Sequence, residues 1–478
     1  MPAPVLFIGL PVLIAPIVYA LYRLRAAAVG LALVVVAGLV SLALVLPFGR
    51  PVAWAGGITF HDTLTVIGRS FTVEPGDRLA LAFIFAQAAL LFFTSSLAAP
   101  NPTFLPISLV NLGLLSAALF VRPFLFAALF LELGAAASVA MLAAESTHAA
   151  YNPNATRGAL RYLVYTTLGL PFILLTGWLL EAAQASPGDV SFTSQATVLL
   201  MAGFAILLAV VPFHSWFPAV AEHAPPYAAA FVFTVMRQTV VFLLLNFLAA
   251  YPWLNQNPLV YRVLTLAGGG MALAGGLLAF GQRNFGRVFG YVLLVDTGAV
   301  MLGLGLGTPA GVQAAVASLA VLGMALPLWA AGVDRLRRAA GGDTFDALRG
   351  VGRRYPVATL AIVLGVLSVA GFPLTVGFTI RWSLLYLLAQ IHPTAAIFLL
   401  LGMVSIAFVC ARGLAALIRS DPATEESADL PGAPPRLGPF AIAAYGLGVT
   451  LVLALGLFPQ WMLPAVARTA EALFQISP

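Results

Sequence analysis

The chain has 478 residues, of which 61% are hydrophobic and 8% are charged, and its mean hydropathy is +1.01. An ordinary soluble domain is about one quarter charged, so this composition excludes a soluble globular fold. The single cysteine, Cys410, excludes a disulfide framework and a cysteine-rich metal site. We therefore expect an all-α membrane protein, because lipid allows apolar side chains to face outward.

Apolar runs long enough to cross the ~30 Å hydrocarbon core follow one another along the chain. The first run lacks a basic region before it, so we interpret it as a span and not as a signal peptide. The sequence predicts about fourteen transmembrane helices, over 3–22, 27–47, 78–98, 104–121, 124–144, 159–180, 196–213, 226–250, 258–281, 286–307, 310–333, 356–390, 394–418 and 438–458.

Helix-breaking residues interrupt this series in two places. The seventh and eighth runs are separated by prolines, at Pro212, Pro218, Pro225 and Pro226. The twelfth run is too long for one span and contains Gly371, Pro373 and Gly377. Proline removes a helical hydrogen bond, and broken helices in matching positions are typical of inverted-repeat transporters. We predict N-terminal helices over 1–121, a first repeat over 104–250 and a second repeat over 258–418, with helices 7 and 12 broken.

The distribution of arginine predicts the orientation in the membrane. All 23 basic side chains are arginine, and they accumulate in loops that follow odd-numbered spans. The positive-inside rule places those loops in the cytoplasm and both termini outside. The pI of 9.7 then reflects topology, and we expect no nucleic-acid binding. Three further segments are an external loop with a hairpin at 48–77, a polar cytoplasmic loop at 419–437, and a last helix with an interfacial tail at 438–478.

Four charged residues stand out within predicted spans: Glu132, Arg237, Asp296 and Arg381. Such residues are costly in lipid and are functional candidates by default. They are compatible with a path for protons or ions through the membrane centre. They are equally compatible with structural ion pairs that hold helices together, and the four residues alone do not separate these alternatives.

A second polar group lies at the double helix break, where His214, Trp216 and His223 occur together with Glu222. Histidine titrates near neutral pH, so a proton relay is one interpretation. A polar plug that satisfies broken backbone is the other, and we favour it slightly. We expect no metal site, since the five histidines show only one close pair, and we find no nucleotide-binding or hydrolase motif.

Four segments in the same order resemble the antiporter-like membrane subunits of respiratory complex I, of Mrp sodium/proton antiporters and of membrane-bound hydrogenases. The stretch VVPFHSWFPAVAEHAPPYAAA is similar to that family's P-H-x-W-L-P-x-A-x-x-x-A-P signature. The other three are FLFAALFLELG around Glu132, FGRVFGYVLLVDTG with Arg287, Tyr291 and Gly298, and GFPLTVGFTIRWSLL around the twelfth-helix break. The resemblance covers about residues 60 to 458. It implies fourteen core helices in two inverted repeats, as in the shorter complex I subunits.

The resemblance also implies where proton-carrying side chains belong, and the chain departs from that pattern. Glu132 occupies the family's helix-5 glutamate position. Leu207 falls where a helix-7 lysine belongs, Gln238 falls at the helix-8 position beside Arg237, and Ala320 falls near the helix-11 position. Arg381 falls at the helix-12 position. Lysine can lose its proton when buried, whereas arginine effectively never does, so an arginine anchors a path without relaying protons.

These residues leave three hypotheses. The first is a subunit of a complex I-like membrane assembly with an altered proton path, in which Glu132 and Arg237 form an ion pair. The second is a proton translocator with a rewired path through Glu132, His214, His223 and Asp296. The third is the membrane half of a non-redox system, such as inorganic-carbon uptake or cation/proton antiport. In each, we expect partner membrane subunits in a bacterial cytoplasmic membrane and no cofactor in this chain, because it carries no iron–sulfur or dinucleotide motif.

Overall fold

The computed structural model describes residues 1–48, 51–52, 57–98, 101–144, 153–185, 190–419 and 437–474. Within them, eleven helices are long and apolar enough to cross a membrane. Four shorter apolar helices complete the set. The all-α membrane fold is therefore confirmed, and the total of fourteen spans stays a prediction. Most of the predicted loop at 419–437 lies outside the described residues.

The first half of the chain contains the helices that precede and surround the first break. Helix α1 begins with the proline at position 2 as its N-cap, and α3 begins with a capping box in which Glu74 and Asp77 satisfy each other's backbone N–H groups. The helices are α1 (Ala3–Ala20), α2 (Arg25–Val45), α3 (Pro75–Ser95), α4 (Phe104–Phe120), α5 (Ala127–Leu142), α6 (Pro153–Ala185), α7 (Val190–Leu207), α8 (Trp216–His223), α9 (Pro226–Phe231) and α10 (Arg237–Ala250).

The second half begins with a four-residue helix. Proline stands in the first turn of most helices in this half, where its missing N–H costs nothing. The helices are α11 (Pro252–Asn255), α12 (Pro258–Phe280), α13 (Phe285–Gly305), α14 (Pro309–Ala340), α15 (Val351–Arg354), α16 (Pro356–Ala370), α17 (Phe378–Ile391), α18 (Pro393–Ile418), α19 (Pro439–Leu457) and α20 (Leu463–Phe474).

Short strands occupy the segment between α2 and α3. Strands β1 (Pro51–Val52) and β2 (Ile58–Thr59) pair antiparallel, as do β3 (Thr63–Val66) and β4 (Arg69–Thr72). Strand β5 (Val121–Arg122) adds to β4. Ile67 and Gly68 join β3 to β4 and both have positive φ, which suits a two-residue hairpin turn. The hairpin predicted in this loop is therefore present.

Both predicted interruptions coincide with ends of helices. Helix α7 ends at Leu207, and Ala209 then takes a φ of 57° before the short helix α8 begins. Helix α16 ends at Ala370, and Gly371 and Leu374 have φ values of 75° and 70° before α17 begins. A non-glycine residue with positive φ is uncommon, and each gap contains one.

Three helices form the centre of the molecule, since nearly all residues of the spans in 226–250, α13 and α14 are buried within the chain. Helices α6 and α19 are the most exposed, so their apolar faces are open to lipid or to partner subunits. The tail helix α20, predicted as interfacial, buries Val466 and Ala470 while it packs against α3, α10 and α14.

Candidate functional site in the membrane interior

Asp296 on α13 lies at the centre of a buried ion cluster. Its Oδ2 accepts a hydrogen bond from Nη2 of Arg237 at 2.7 Å, and its Oδ1 accepts one from Nη2 of Arg381. Asp296 is fully buried, and the two arginines are 3% and 2% exposed. One carboxylate thus joins α10, from the predicted first repeat, to α17, from the predicted second.

Arg237 is held by α13 on two sides of its guanidinium. Its Nη1 donates to Oγ1 of Thr297 at 2.6 Å, and Thr297 in turn donates to the carbonyl of Leu293. Arg237 is the first residue after a π-helix at Val232–Met236. A π-helix has a wider turn than an α-helix, so a count that assumes regular helix misplaces the side chains after it. This explains why Arg237 meets Asp296 although Gln238 falls at the family position.

Arg381 connects the second helix break to the same cluster. Its Nη1 donates to the hydroxyl of Ser318 on α14 at 3.1 Å, and its Nε donates to the carbonyl of Val369 at 3.2 Å. Val369 is in the last turn of α16, where carbonyls have no helical partner. Gly371 lies directly against the stem of Arg381, where any side chain would clash. Arginine therefore satisfies the broken helix and the carboxylate together.

The cluster has two positive charges and one negative charge, and this limits its chemistry. Both carboxylate oxygens of Asp296 accept hydrogen bonds from guanidinium groups. Guanidinium does not release its proton in proteins. Taking these charges out of water is costly, and pairing with hydrogen bonds offsets that cost. The arrangement can therefore lock three helices together, and Asp296, its one carboxylate, is held on both oxygens by arginines that do not relay protons.

Glu132 does not pair with Arg237, so the expected ion pair between them is wrong. The Glu132 carboxylate accepts a hydrogen bond from the hydroxyl of Thr167, an exposed residue on α6. Its second oxygen is buried and has no hydrogen-bond partner among the described residues. Arg237 pairs with Asp296 because α13 presents both that carboxylate and the Thr297 hydroxyl to it. Glu132, on α5, points towards α6 instead.

The residues at the positions where the family pattern expects lysine are buried in the structure, and their side chains are apolar or uncharged. Leu207 and Ala320 are each 8% exposed and belong to the hydrophobic core. Gln238 is 1% exposed, and neither polar atom of its amide has a hydrogen-bond partner in the part of the chain that the structure describes. Near Ala320, the amide of Gln87 on α3 donates to the carbonyl of Leu319 at 3.2 Å.

A second charged group surrounds α8 at the first helix break. Glu222 accepts from Nε of Arg287, and His223 Nε2 lies 3.3 Å from the Glu222 carboxylate. Arg337 on α14 donates to the carbonyls of Ala221 and Glu222, both at 2.8 Å, and of Ala224 at 3.0 Å. A cation at a helix C-terminus satisfies its free carbonyls and its dipole. This geometry fits the polar-plug interpretation of the segment.

The remaining residues of the break are separated from that group. His214 is partly buried, and its Nδ1 has no hydrogen-bond partner among the described residues. Trp216 is 3% exposed and packs on Phe217, with ring centroids 4.4 Å apart. Pro218 contacts α13 at Gly290, where an added Cβ would lie 2.6 Å from the proline nitrogen. Among the described residues, no direct hydrogen bond joins His214, His223 and Asp296 to one another.

Metal ligation was not expected from the sequence. The described ranges contain no group of three or more His, Cys, Asp or Glu residues that could hold a metal ion.

Several residues of the site were not identified from the sequence. Thr297, Ser318 and Thr167 complete the hydrogen bonds of the charged groups, and Arg337 caps α8 from a distant helix. Hydroxyl residues are common in membrane helices, where they bond to their own backbone, so their type alone carries no signal. Arg337 lies within a cluster of arginines that the sequence explains by topology alone.

Fold and site together define a multi-pass integral membrane protein with helix breaks and buried charges on its central helices. The chain belongs to the NADH:quinone oxidoreductase/Mrp antiporter transmembrane family, whose model matches residues 124–408. This confirms the resemblance carried by the four sequence segments.

Two relatives illustrate the range of similarity. NADH-quinone oxidoreductase subunit N of Rhodopseudomonas palustris (strain BisA53) is 30% identical over 403 residues, which cover 81% of each chain. The same subunit of Halorhodospira halophila is 31% identical over 271 residues, which cover 55% of this chain and 54% of the relative. The chain thus spans about half the length of several relatives it matches.

Solved structures share the fold. The Mrp complex from Dietzia sp. DQ12-45-1b contains a chain that superposes with a TM-score of 0.80 at 19% identity, covering 99% of this chain and 97% of that one. Respiratory complex I from Thermus thermophilus contains one with a TM-score of 0.72 at 21% identity, covering 98% of both chains. At such identities the likeness shows the architecture alone.

Proposed function

We propose that this chain is a membrane-arm subunit of a complex I-like, proton-translocating assembly, and that its own side-chain route for protons is interrupted at the centre. In this role it transmits or supports coupling mechanically, through helices held by fixed ion pairs. The observation that carries the proposal is Asp296 bound on both oxygens by Arg237 and Arg381.

The physical argument concerns the carriers that such a route needs. A proton path requires neighbouring groups that each accept and release a proton. Arginine does not release one, and Leu207 and Ala320 are buried apolar side chains. Glu132 bonds to Thr167 and is not part of the Asp296 cluster. Glu132 and Asp296 are therefore separated from other proton carriers by apolar side chains and by arginines.

Relatives and composition support the rest of the assignment. The curated relatives are named NADH-quinone oxidoreductase subunit N, so the partners would be other membrane subunits, and any flavin, iron–sulfur or quinone chemistry would belong to them. We place the chain in a bacterial cytoplasmic membrane with both termini outside, on the arginine distribution. The ion moved by the whole assembly would be the proton.

The rewired path remains as a second candidate, and one contact favours it. His223 and Glu222 lie 3.3 Å apart at a helix break, which would place a titratable pair at one end of a path. The described residues offer no hydrogen-bonded connection from this pair to Asp296.

The test is the proton-to-electron ratio of the intact assembly, isolated through a tag on this chain and reconstituted into liposomes. The variants Glu132→Gln and His223→Gln each remove one titratable group without touching the Asp296 cluster. The proposal expects wild-type ratios for both. A lower ratio in either variant, with subunit composition and electron transfer unchanged, would support the rewired path and reject the interruption.

A further inference from the structure

A cavity of about 590 Å³ lies far from the charged centre, where α12 and α18 begin and α13 ends. Its walls include Tyr261, Arg262, Thr265, His392 and Phe398. No residue of the Asp296 cluster or of the α8 group contributes to it. Its volume is within the range of small-molecule sites, about 300–1,000 Å³.

Two basic side chains of the wall are uncommitted. Arg262 and His392 have no side-chain hydrogen bond or ion pair with another described residue. The hydroxyl groups beside them are already used, because Tyr261 donates to Asn255 and Thr265 donates to the carbonyl of Tyr261 at 2.9 Å. No aspartate or glutamate lines the cavity. Its free polar side chains are therefore a guanidinium, an imidazole and the hydroxyl of Thr394, a set without negative charge that favours an anion.

The helix dipoles add to this preference. Helices α12 and α18 begin at Pro258 and Pro393, and residues of both first turns line the cavity. The positive ends of two helices and the negative end of α13 thus lie at the same opening, and phosphate groups bind favourably at the positive ends.

The other side of the cavity is apolar and continues along the membrane-facing surface. Leu266 on α12 is 67% exposed, and Leu401 on α18 is 47% exposed. Gly270, about one turn after Leu266 on α12, has no neighbour within 4 Å of where its Cβ would be. A groove that joins a basic opening to exposed leucines has the two-part chemistry of a phospholipid.

We propose that this cavity binds the phosphate of an anionic phospholipid through Arg262 and His392, with an acyl chain along the groove between α12 and α18. Lipid is the favoured source of phosphate because the same groove offers an apolar surface that a free anion would not use. Arginine forms charge-assisted hydrogen bonds with phosphate oxygens, which supports headgroup binding at this opening.

The test measures lipid binding to the purified full-length chain in mild detergent by native mass spectrometry. The probes are a phosphatidylglycerol and a diacylglycerol with the same palmitoyl and oleoyl chains. We expect one saturable phosphatidylglycerol per chain, bound roughly tenfold more tightly than diacylglycerol, as loss of one charge-assisted contact would change affinity. This comparison on the unaltered chain needs no variant. Equal binding of the two lipids would overturn the proposal.

A variant locates the site. The double variant Arg262→Gln/His392→Gln should lose the tenfold preference, while Arg468→Gln should keep it. Arg468 is an exposed arginine on α20 whose side chain bonds to the carbonyl of Pro464 in its own helix, so this control matches the loss of charge. A double variant that keeps the preference would place the lipid elsewhere. Displacement of phosphatidylglycerol by millimolar inorganic phosphate would show a free-anion site and contradict the lipid proposal.

Discussion

Arg237 donates a 2.7 Å hydrogen bond to Asp296 from a neighbouring helix, and both side chains are almost completely removed from the surface. Arg381 reaches the same carboxylate from α17. Arg381, which falls at the helix-12 position of the family pattern, is thus fixed by its pairing with Asp296.

Replacement of Asp296 by asparagine should destabilise the protein strongly. Two buried guanidinium groups would lose their only counter-charge in the cluster, and breaking a buried ion pair typically costs about 3–5 kcal/mol. The measurement is the unfolding temperature in detergent, followed by intrinsic fluorescence. Asp346→Asn is the matched control, since Asp346 is an exposed carboxylate that pairs with Arg349 only three residues away. An Asp296→Asn protein as stable as this control would show that the cluster does not hold the helices.

Replacement of Arg381 by lysine should also destabilise, although the charge is kept. Arg381 donates to Asp296, Ser318 and the carbonyl of Val369 through three different nitrogens. A lysine ammonium donates from one nitrogen only, so it cannot reach the three acceptors that the guanidinium fork reaches. Loss of one or two hydrogen bonds would lower stability by about 1–3 kcal/mol, measured as a fall in the unfolding temperature. An unchanged temperature would show that charge alone matters.

Replacement of Gly377 by alanine should disrupt the packing of the segment between α16 and α17. A Cβ at Gly377 would collide with the carbonyl oxygen of Ser368, which is fixed backbone in α16. We expect loss of monodisperse protein in size-exclusion chromatography. Gly270→Ala serves as the control because nothing lies within 4 Å of its added Cβ, and alanine is the better helix former there. Equal behaviour of the two variants would contradict the described packing of the break.

Replacement of Arg337 by glutamine should loosen α8 without altering the central cluster. Three carbonyls at the end of α8 accept from this guanidinium, and one neutral amide can satisfy at most two of them. Hydrogen exchange measured by mass spectrometry should rise in peptides that cover 216–225. The Arg349→Gln variant should leave that exchange unchanged, since Arg349 pairs locally with Asp346. No increase for Arg337→Gln would argue against a capping role.

The fold was predictable from the sequence because its signal is strong and local. Apolar runs located the helices to within a few residues in most cases, and proline and glycine marked the places where α7 and α16 end. Helix ends that extend into polar sequence were missed, as at α6 and α14, where α14 continues to Ala340 through three arginines. A hydropathy profile does not detect such ends because their side chains are polar, although the backbone hydrogen bonds of the helix continue through them.

The site was predictable only as a set of residues and not as a set of pairs. Glu132, Arg237, Asp296 and Arg381 were all identified, because charge within a span is rare. Their pairing depends on which helix faces meet, and the helices concerned are distant in sequence. The π-helix before Arg237 also changes the direction of the side chains that follow it, so a count that assumes a regular α-helix misplaces them. No pattern in one sequence reports either feature, so the expected pairing of Glu132 with Arg237 was wrong.

The central claim is that protons do not pass between the charged groups of this chain, and ordered water tests it most directly. The measurement is a cryo-electron microscopy structure of the intact assembly at a resolution that shows water molecules between Glu132 and Arg381. The account predicts a dry gap at Leu207 and Ala320, with Asp296 bonded to both arginines. A continuous chain of waters and titratable side chains across that interval would contradict it.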